Sequence, residues 1–294
     1  MIVVKLKGGL GNQLFEYATA RRASFVNHTD LKLDTSSYLP TSGRKYSLQH
    51  FKISGEIATS ESIDWFKPPI GKSLGGLIRR ILKLFTPYYK RHYLLERRKF
   101  LDRFDKNILK VGKDVYLQGY WHSEKYFEDI KPILLEELVL KNELSQKAAD
   151  TAKMIISCNS VSIHVRRGDF VTDKLNNEKY DPCSKEYYES AMGYIESTYA
   201  EPTFFMFSDD ILWAKENIKS KRPTVYVSNS LIEDYEELVL MALCKHNIIA
   251  NSSFSWWGAW LNRNPQKTVI APKNWFNTPH RITDDLLPKS WIQL

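Results

Sequence analysis

Two adjacent arginines, Arg166 and Arg167, follow the apolar run Val161–Val165 and precede Gly168 and Asp169. A guanidinium presents fixed donors that match phosphate in bidentate fashion, so a pair at a strand end suits binding a diphosphate and stabilising it as it leaves. Asp169 stands where it can orient one of the arginines from behind. Three other polar clusters have the composition of ligand loops: Gly8-Gly9-Leu10-Gly11-Asn12-Gln13, Ser208-Asp209-Asp210, and Asn251-Ser252-Ser253-Phe254-Ser255 ahead of Trp256, Trp257 and Trp260. Gly9 and Gly11 let backbone approach a ligand, and a helix starting there favours negative charge. Asp34, about 20 residues on, invites comparison with a dinucleotide fingerprint and an NAD-type oxidoreductase, but Leu14 occupies the place of the third glycine. Asp209 and Asp210 can hold a divalent metal, or a carboxylate there can accept two hydrogen bonds from guanine, and residue types leave both open. The Asn/Ser cluster offers hydroxyl and backbone donors to phosphate, while the tryptophans are expected behind it as core.

These clusters need elements to hold them. Strands are expected at Ile2–Leu6, Leu31–Leu33, Val115–Leu117, Val161–Val165, Thr203–Phe207, Thr224–Val227, Ile248–Ala250 and Thr268–Ile270. Helices are expected at Asn12–Val26, Ile130–Val139, Glu186–Ser197, Ile211–Asn217 and Ile232–Leu243. Alternating strands and helices spell an α/β architecture with parallel sheets. A boundary is expected in the polar run Lys141 to Lys153, dividing the chain into residues 1–145 and 146–294. Ligands of open α/β sheets sit outside the carboxyl ends of strands, and each polar cluster follows an expected strand.

At 294 residues and 43% hydrophobic, the chain can bury a core in each half. No window approaches the roughly 18 apolar residues of a spanning helix, and the opening Ile-Val-Val-Lys-Leu is too short for a signal peptide. Cys158, Cys183 and Cys244 are odd in number and far apart, which fits neither a disulfide framework nor a zinc site and points to a reducing cytoplasm. The formal charge of +8 is concentrated between Lys72 and Lys99, where Arg79, Arg80, Lys83, Lys90, Arg91, Arg97 and Arg98 interleave with apolar residues. That stretch suits either an amphipathic helix on an anionic membrane surface, at the inner face of the cytoplasmic membrane, or a helix packed on its own domain. No nucleic-acid recognition motif accompanies the charge, which excludes that class.

Taken in order, GGLGNQLFEYA, GYWHSEKYF (residues 119–127), HVRRGDF, SDD, NSSFSWWGAWL and APKNWF (residues 271–276) resemble the α-1,2-fucosyltransferases of glycosyltransferase family 11 across nearly the whole chain. The resemblance implies a GT-B fold, two facing Rossmann-like domains with the active site in the cleft between them, residues 1–145 on the acceptor side and 146–294 binding GDP-fucose. It implies inverting transfer of L-fucose to the 2-hydroxyl of a terminal galactose on a glycan, without metal or other cofactor, in a setting such as lipopolysaccharide assembly. Arg166 would then be the chief catalytic residue, with Arg167, Gly168 and Asp169 supporting it and His164 contacting the nucleotide. Asp209 or Asp210, next to Ser208, would read guanine, and the loop from Asn251 and Ser252 through Ser253, Phe254 and Ser255 would hold the diphosphate. Asn12 and Gln13, with Gly9 and Gly11, would lie near the sugar and acceptor. Glu16 and His122 stand where the family commonly has glutamine, and each brings an ionisable group that can serve as general base. A non-catalytic glycan- or phosphate-binding protein is the remaining alternative.

Overall fold

A computed structural model describes residues 1–41, 43–66, 85–97, 103–168, 182–277 and 284–294. Asp169 and most of the basic stretch 72–99 fall outside them. The chain forms two compact units, residues 1–139 with 284–286, and 140–283 with 287–294.

The first unit is built on β1 (Ile2–Lys5), β2 (Leu31–Asp34), β3 (Glu56–Ile57), β4 (Tyr93–Leu95) and β5 (Val115–Gln118). They form a parallel sheet in the order β3-β2-β1-β5-β4, with Ile2 paired to Leu31 on one side and Val115 on the other. Ile2, Val3 and Val4 are all buried, as a strand covered on both faces requires. Helix α1 (Leu10–Asn27) buries Leu14, Phe15, Tyr17 and Ala18, and His28 ends it in the left-handed conformation, φ 47°. Two short helices follow, α2 (Ser60–Asp64) and α3 (Lys131–Glu137). Glu137 ties α3 to α1 by accepting from Arg21 Nε at 2.9 Å. Asp285 belongs to this unit because its carboxylate pairs with Lys125 and accepts from Phe104 N at 2.9 Å.

The second unit carries β6 (Asn159–Val165), β7 (Pro202–Ser208), β8 (Thr224–Tyr226), β9 (His246–Ile248), β10 (Val269–Ala271) and β11 (Ile292–Gln293). Their parallel order is β8-β7-β6-β9-β10-β11, the doubly wound pattern of dinucleotide-binding folds. Successive side chains of β7 face opposite ways. Phe204 and Met206 join Val161, Ile163, Tyr188 and Ile195 on one face, while Phe205 and Phe207 join Ile155, Leu240 and Met241 on the other. The flanking helices are α4 (Gln146–Ile156), α5 (Lys185–Thr198), α6 (Ile211–Asn217), α7 (Asp234–Leu243) and α8 (Ser253–Leu261). Asn247 on β9 donates to Ser162 Oγ and Met241 O at 2.7 and 2.8 Å and accepts from Asn262 Nδ2 at 2.7 Å. This buried network fixes the path from α7 through β9 to the end of α8, with its polar groups paired.

Every strand expected from sequence is present, with ends shifted by a residue or two. The unanticipated β3, β4 and β11 are too short to show alternation. The polar run Lys141–Lys153 is largely helix, not linker: α4 is capped by Ser145 and buries Ala148, Thr151, Ala152 and Ile155. Those four positions repeat at helical spacing, but the small residues among them hide the stripe. The units accordingly part at Val139 and Leu140, ahead of that helix, and not at residue 145. The stretch Ser253–Leu261, expected as loop, is the helix α8.

Candidate functional site

In the second unit the sheet grows outward from β6 through β7 to β8, then crosses to β9 on the other side. Loops leaving β6 and β9 therefore flank a crevice at the point of reversal, where such folds bind ligands. The β6 loop carries Arg166, Arg167 and Gly168; the β9 loop carries Asn251 and Ser252 and opens α8. Neighbouring β7 delivers Ser208, Asp209 and Asp210 alongside, through the pairing of Val165 with Ser208.

The aspartates position the arginines. Asp209 Oδ2 lies 2.7 Å from Arg166 Nη1, and Oδ1 accepts from Arg167 N at 2.8 Å. Asp210 Oδ1 caps α6 by accepting from Trp213 N at 3.1 Å, and its Oδ2 is 3.5 Å from Arg167 Nε. The Arg167 guanidinium also sits 3.8 Å over the Trp213 ring. Gly168 is required by proximity, since a Cβ there would fall 2.4 Å from Asp209 Oδ2. Asp209 orients Arg166, a role expected of Asp169, which lies outside the described residues, and the aspartates expected to read guanine are engaged by the arginines. Ser208 holds this turn, its Oγ accepting from Asp210 N and its N donating to Ser228 Oγ, both at 2.9 Å. Among the described residues, no three His, Cys, Asp or Glu side chains gather to hold a metal.

At the β9 loop, Ser252 caps α8 by accepting from Phe254 N at 3.3 Å. The first-turn amides of a helix and its dipole make a natural phosphate seat. Two polar residues expected to touch ligand are committed elsewhere. Asn251 is 2% exposed, donates to Trp275 O at 3.1 Å and accepts from Cys183 Sγ at 3.5 Å. Buried Ser255 turns its hydroxyl back to Ala250 O and Ser252 O. Ser252, Ser253 and Phe254 remain half-buried at the mouth. Trp256, Trp257 and Trp260 are buried against one another, as core. His164, expected at the nucleotide, is only 4% exposed, with its ring 5.6 Å from that of Phe254. Burial, then the charge of Arg166, push its pKa down to about 3, so the ring is neutral beneath the arginine loop.

The first unit reverses between β1 and β5, and the loops after these strands form its crevice. Gly8 turns the chain at φ 78°, and a Cβ there would meet Asn12 Nδ2 at 2.7 Å. Asn12 Oδ1 lies 3.2 Å from His122 Nε2. The His122 ring stacks on Tyr120 at 5.1 Å, and Lys7 Nζ stands 4.2 Å over Tyr120. Tyr38 donates to Gly8 O at 3.2 Å. Gly9 is the N-cap of α1, and Gly11 is buried in its first turn. Gln13, expected near substrate, is 0% exposed: it donates to Gly8 O and Lys45 O at 3.2 and 2.8 Å and accepts from Ser47 N at 2.9 Å. It clamps the glycine turn to the segment after β2 and has no face left for a ligand. Glu16 is also 0% exposed, and Lys7 N donates to it at 2.8 Å. Burial lifts its carboxyl well above the usual range against that bond, and with no exposed surface it props the turn from beneath. His122, the other of the pair, is half-buried beside Asn12. Sequence reasoning missed Glu96, whose carboxylate accepts from Tyr120 N at 2.8 Å and Trp121 N at 3.0 Å and so shapes the loop after β5. No local signal marks it, because its partners are brought up by strand pairing.

Residues 1–294 match the family model described as Glycosyl transferase family 11. The chain is 32% identical to the O-antigen biosynthesis glycosyltransferase WbnK of Escherichia coli, over 98% of this chain and 99% of that one. It is 31% identical to an alpha-1,2-colitosyltransferase of Escherichia coli, over 100% and 99%. Mouse galactoside 2-alpha-L-fucosyltransferase Sec1 is 24% identical over 99% of this chain and 73% of its own. Among solved structures, fucosyltransferase NodZ from Bradyrhizobium superposes with a TM-score of 0.50 at 13% identity, covering 87% of this chain and 91% of NodZ. A mutant of Arabidopsis thaliana FUT1 in complex with GDP gives 0.52 at 11%, covering 93% and 71%. The fold is of the GT-B type, as expected, with a Rossmann-like sheet in each unit.

Proposed function

Because the chain belongs to glycosyltransferase family 11, we propose that it transfers L-fucose from GDP-β-L-fucose to the 2-hydroxyl of a terminal galactose, with inversion and without a metal. One observation carries the donor half: Arg166, held by Asp209, at the same sheet reversal as the N-terminus of α8. As the glycosidic bond breaks, negative charge grows on the β-phosphate and positive charge on the sugar. A pre-oriented guanidinium and the amides at the α8 N-terminus stabilise that phosphate without reorganising. Asp209 keeps Arg166 in place before the donor arrives. In the first unit, Tyr120, His122 and Asn12 offer a ring face and amide and imidazole groups, the chemistry that holds a sugar. His122 is the group there with the chemistry to take the acceptor proton.

The identity to an alpha-1,2-colitosyltransferase supports a second donor, GDP-colitose, whose sugar is fucose without its 3-hydroxyl. The diphosphate machinery serves either sugar unchanged. We further propose that the reaction serves O-antigen assembly, which the likeness to WbnK supports, and that it takes place in the cytoplasm.

The test is GDP release with lactose as acceptor, in EDTA, from GDP-fucose and GDP-colitose separately, with products confirmed by mass. The reading expects lactose-dependent release that Arg166→Ala lowers by about 10³ or more while the melting temperature holds. Turnover stopped by EDTA and restored by magnesium would overturn the metal-free mechanism. Release from GDP-colitose alone would change the donor.

A further inference from the structure

With Asp209 and Asp210 taken up by arginines, a further carboxylate among the described residues stands at this edge of the second sheet. Glu237 lies on α7, one turn after Asp234. Its side chain hydrogen-bonds to that of Ser228, in the loop leaving β8, and Asp209 acts on it electrostatically. Ser228 Oγ also accepts from Ser208 N at 2.9 Å, so Glu237, Ser228 and Ser208 link α7 to the carboxyl ends of β7 and β8. The adjacent Glu236 shows what a structural glutamate on this helix does: it is 3% exposed and accepts from Ser145 N at 2.6 Å and Glu233 N at 3.0 Å. Glu237 is half-buried, beside two other carboxylates, and among the described residues no cation pairs with it. A carboxylate withdrawn from water in negative company costs stability unless a ligand supplies donors. Phe254, half-buried at the mouth of the β9 loop, belongs to the apolar cluster with Val227 and Phe207 beneath the same loops.

We infer that Glu237 is the carboxylate that reads guanine, accepting from the ring N1–H and the exocyclic 2-amino group of the donor nucleotide, with Ser228 holding its orientation. A carboxylate has two oxygens to offer, and guanine alone among the common bases presents two adjacent N–H donors on that edge. This inference rests on the proposed nucleotide-sugar donor and assigns the residue that selects its base. Arg166 and the α8 N-terminus serve any nucleoside diphosphate, so base selection has to come from a group such as this one.

The experiment is calorimetric titration of the full chain with GDP and with IDP, which differs only in lacking the 2-amino group, for the wild type, Glu237→Gln and Glu237→Asp. The wild type should bind GDP about tenfold or more tighter than IDP, because a lost donor leaves a buried acceptor unpaired. In Glu237→Gln that ratio should fall to about twofold or less, and in Glu237→Asp, which keeps the carboxylate, part of it should return. Competition by inorganic pyrophosphate should be the same in all three. A ratio unchanged in Glu237→Gln, or GDP and IDP weakened equally as a ribose contact or a folding defect would do, overturns the inference. A wild type that binds neither nucleotide removes the donor reading itself, and the base assignment with it.

Discussion

The two crevices are organised by different forces. At the end of β6 the polar groups are ions, and they are arranged in pairs: Arg166 with Asp209, Arg167 with Asp210. At the end of β1 they are rings, amides and hydroxyls, and the carboxylates present, Glu16 and Glu96, point back to backbone N–H groups. A site for a diphosphate has to manage full charges and keep them from collapsing onto one another before the ligand arrives. A site for a sugar hydroxyl has to supply a flat face and directional partners. On the proposed function, the contrast supports a donor held by the second unit and an acceptor held by the first.

The sharpest way to break this comparison is to loosen one ion pair without removing the arginine. Asp209→Asn should lower kcat by about 10- to 100-fold, since a charge-assisted bond that holds Arg166 becomes a weak one. GDP affinity should change far less, because the arginine can still reach phosphate once ligand is bound. Equal loss in kcat and GDP affinity would make Asp209 a nucleotide ligand and not a positioning residue. Steady-state kinetics with calorimetry on one preparation decides between them.

On the other side, Tyr120→Ala should raise the acceptor KM by roughly tenfold, the worth of a lost ring face, and leave GDP binding within error of the wild type. Lys7 and His122, which both contact the ring, lose a partner, so a fall in kcat is expected with it, smaller than that in Asp209→Asn. If GDP affinity falls instead, the division of labour between the crevices is wrong.

Much of this division could be read from the chain before any coordinates. Strand-forming runs ending in Gly, Arg, Asp or Asn marked where loops leave the sheets, and the doubly wound order then fixed which loops share a crevice. What sequence did not yield is partnership. Gln13 and Asn251 look like ligand contacts because they are amides in glycine- and serine-rich turns. Both are spent on backbone carbonyls, those of Gly8 and Lys45 for Gln13 and of Trp275 for Asn251, because buried loop amides and carbonyls must find partners somewhere. Glu96 and Glu237 show the reverse. Each sits in an unremarkable segment and reaches its loop only through strand order or helix packing. Helix α4 escaped notice for a related reason: alanine and threonine carry its buried face, and apolar periodicity is blind to them.

The smallest effect expected comes from pH, and it separates the crevices again. Burial first, then Asp234 and Asp209, push the Glu237 carboxyl up to about 7 against the bond from Ser228. A base-reading carboxylate must be ionised to accept from two N–H donors, so GDP affinity should weaken as pH falls from 8 to 6, by up to about tenfold per unit below that pKa. Glu237→Gln should flatten the profile. The sign for the empty protein is opposite: a carboxyl with its pKa raised on folding adds stability below its unfolded value near 4.5, and that stability is lost as pH rises through about 7. Glu237→Gln should therefore melt higher than the wild type at pH 8 and lose that advantage at pH 5. Acceptor KM, set by groups of the other crevice, should not respond to Glu237→Gln. A GDP profile that stays level between pH 6 and 8 in the wild type would mean that Glu237 carries no charge the nucleotide can feel.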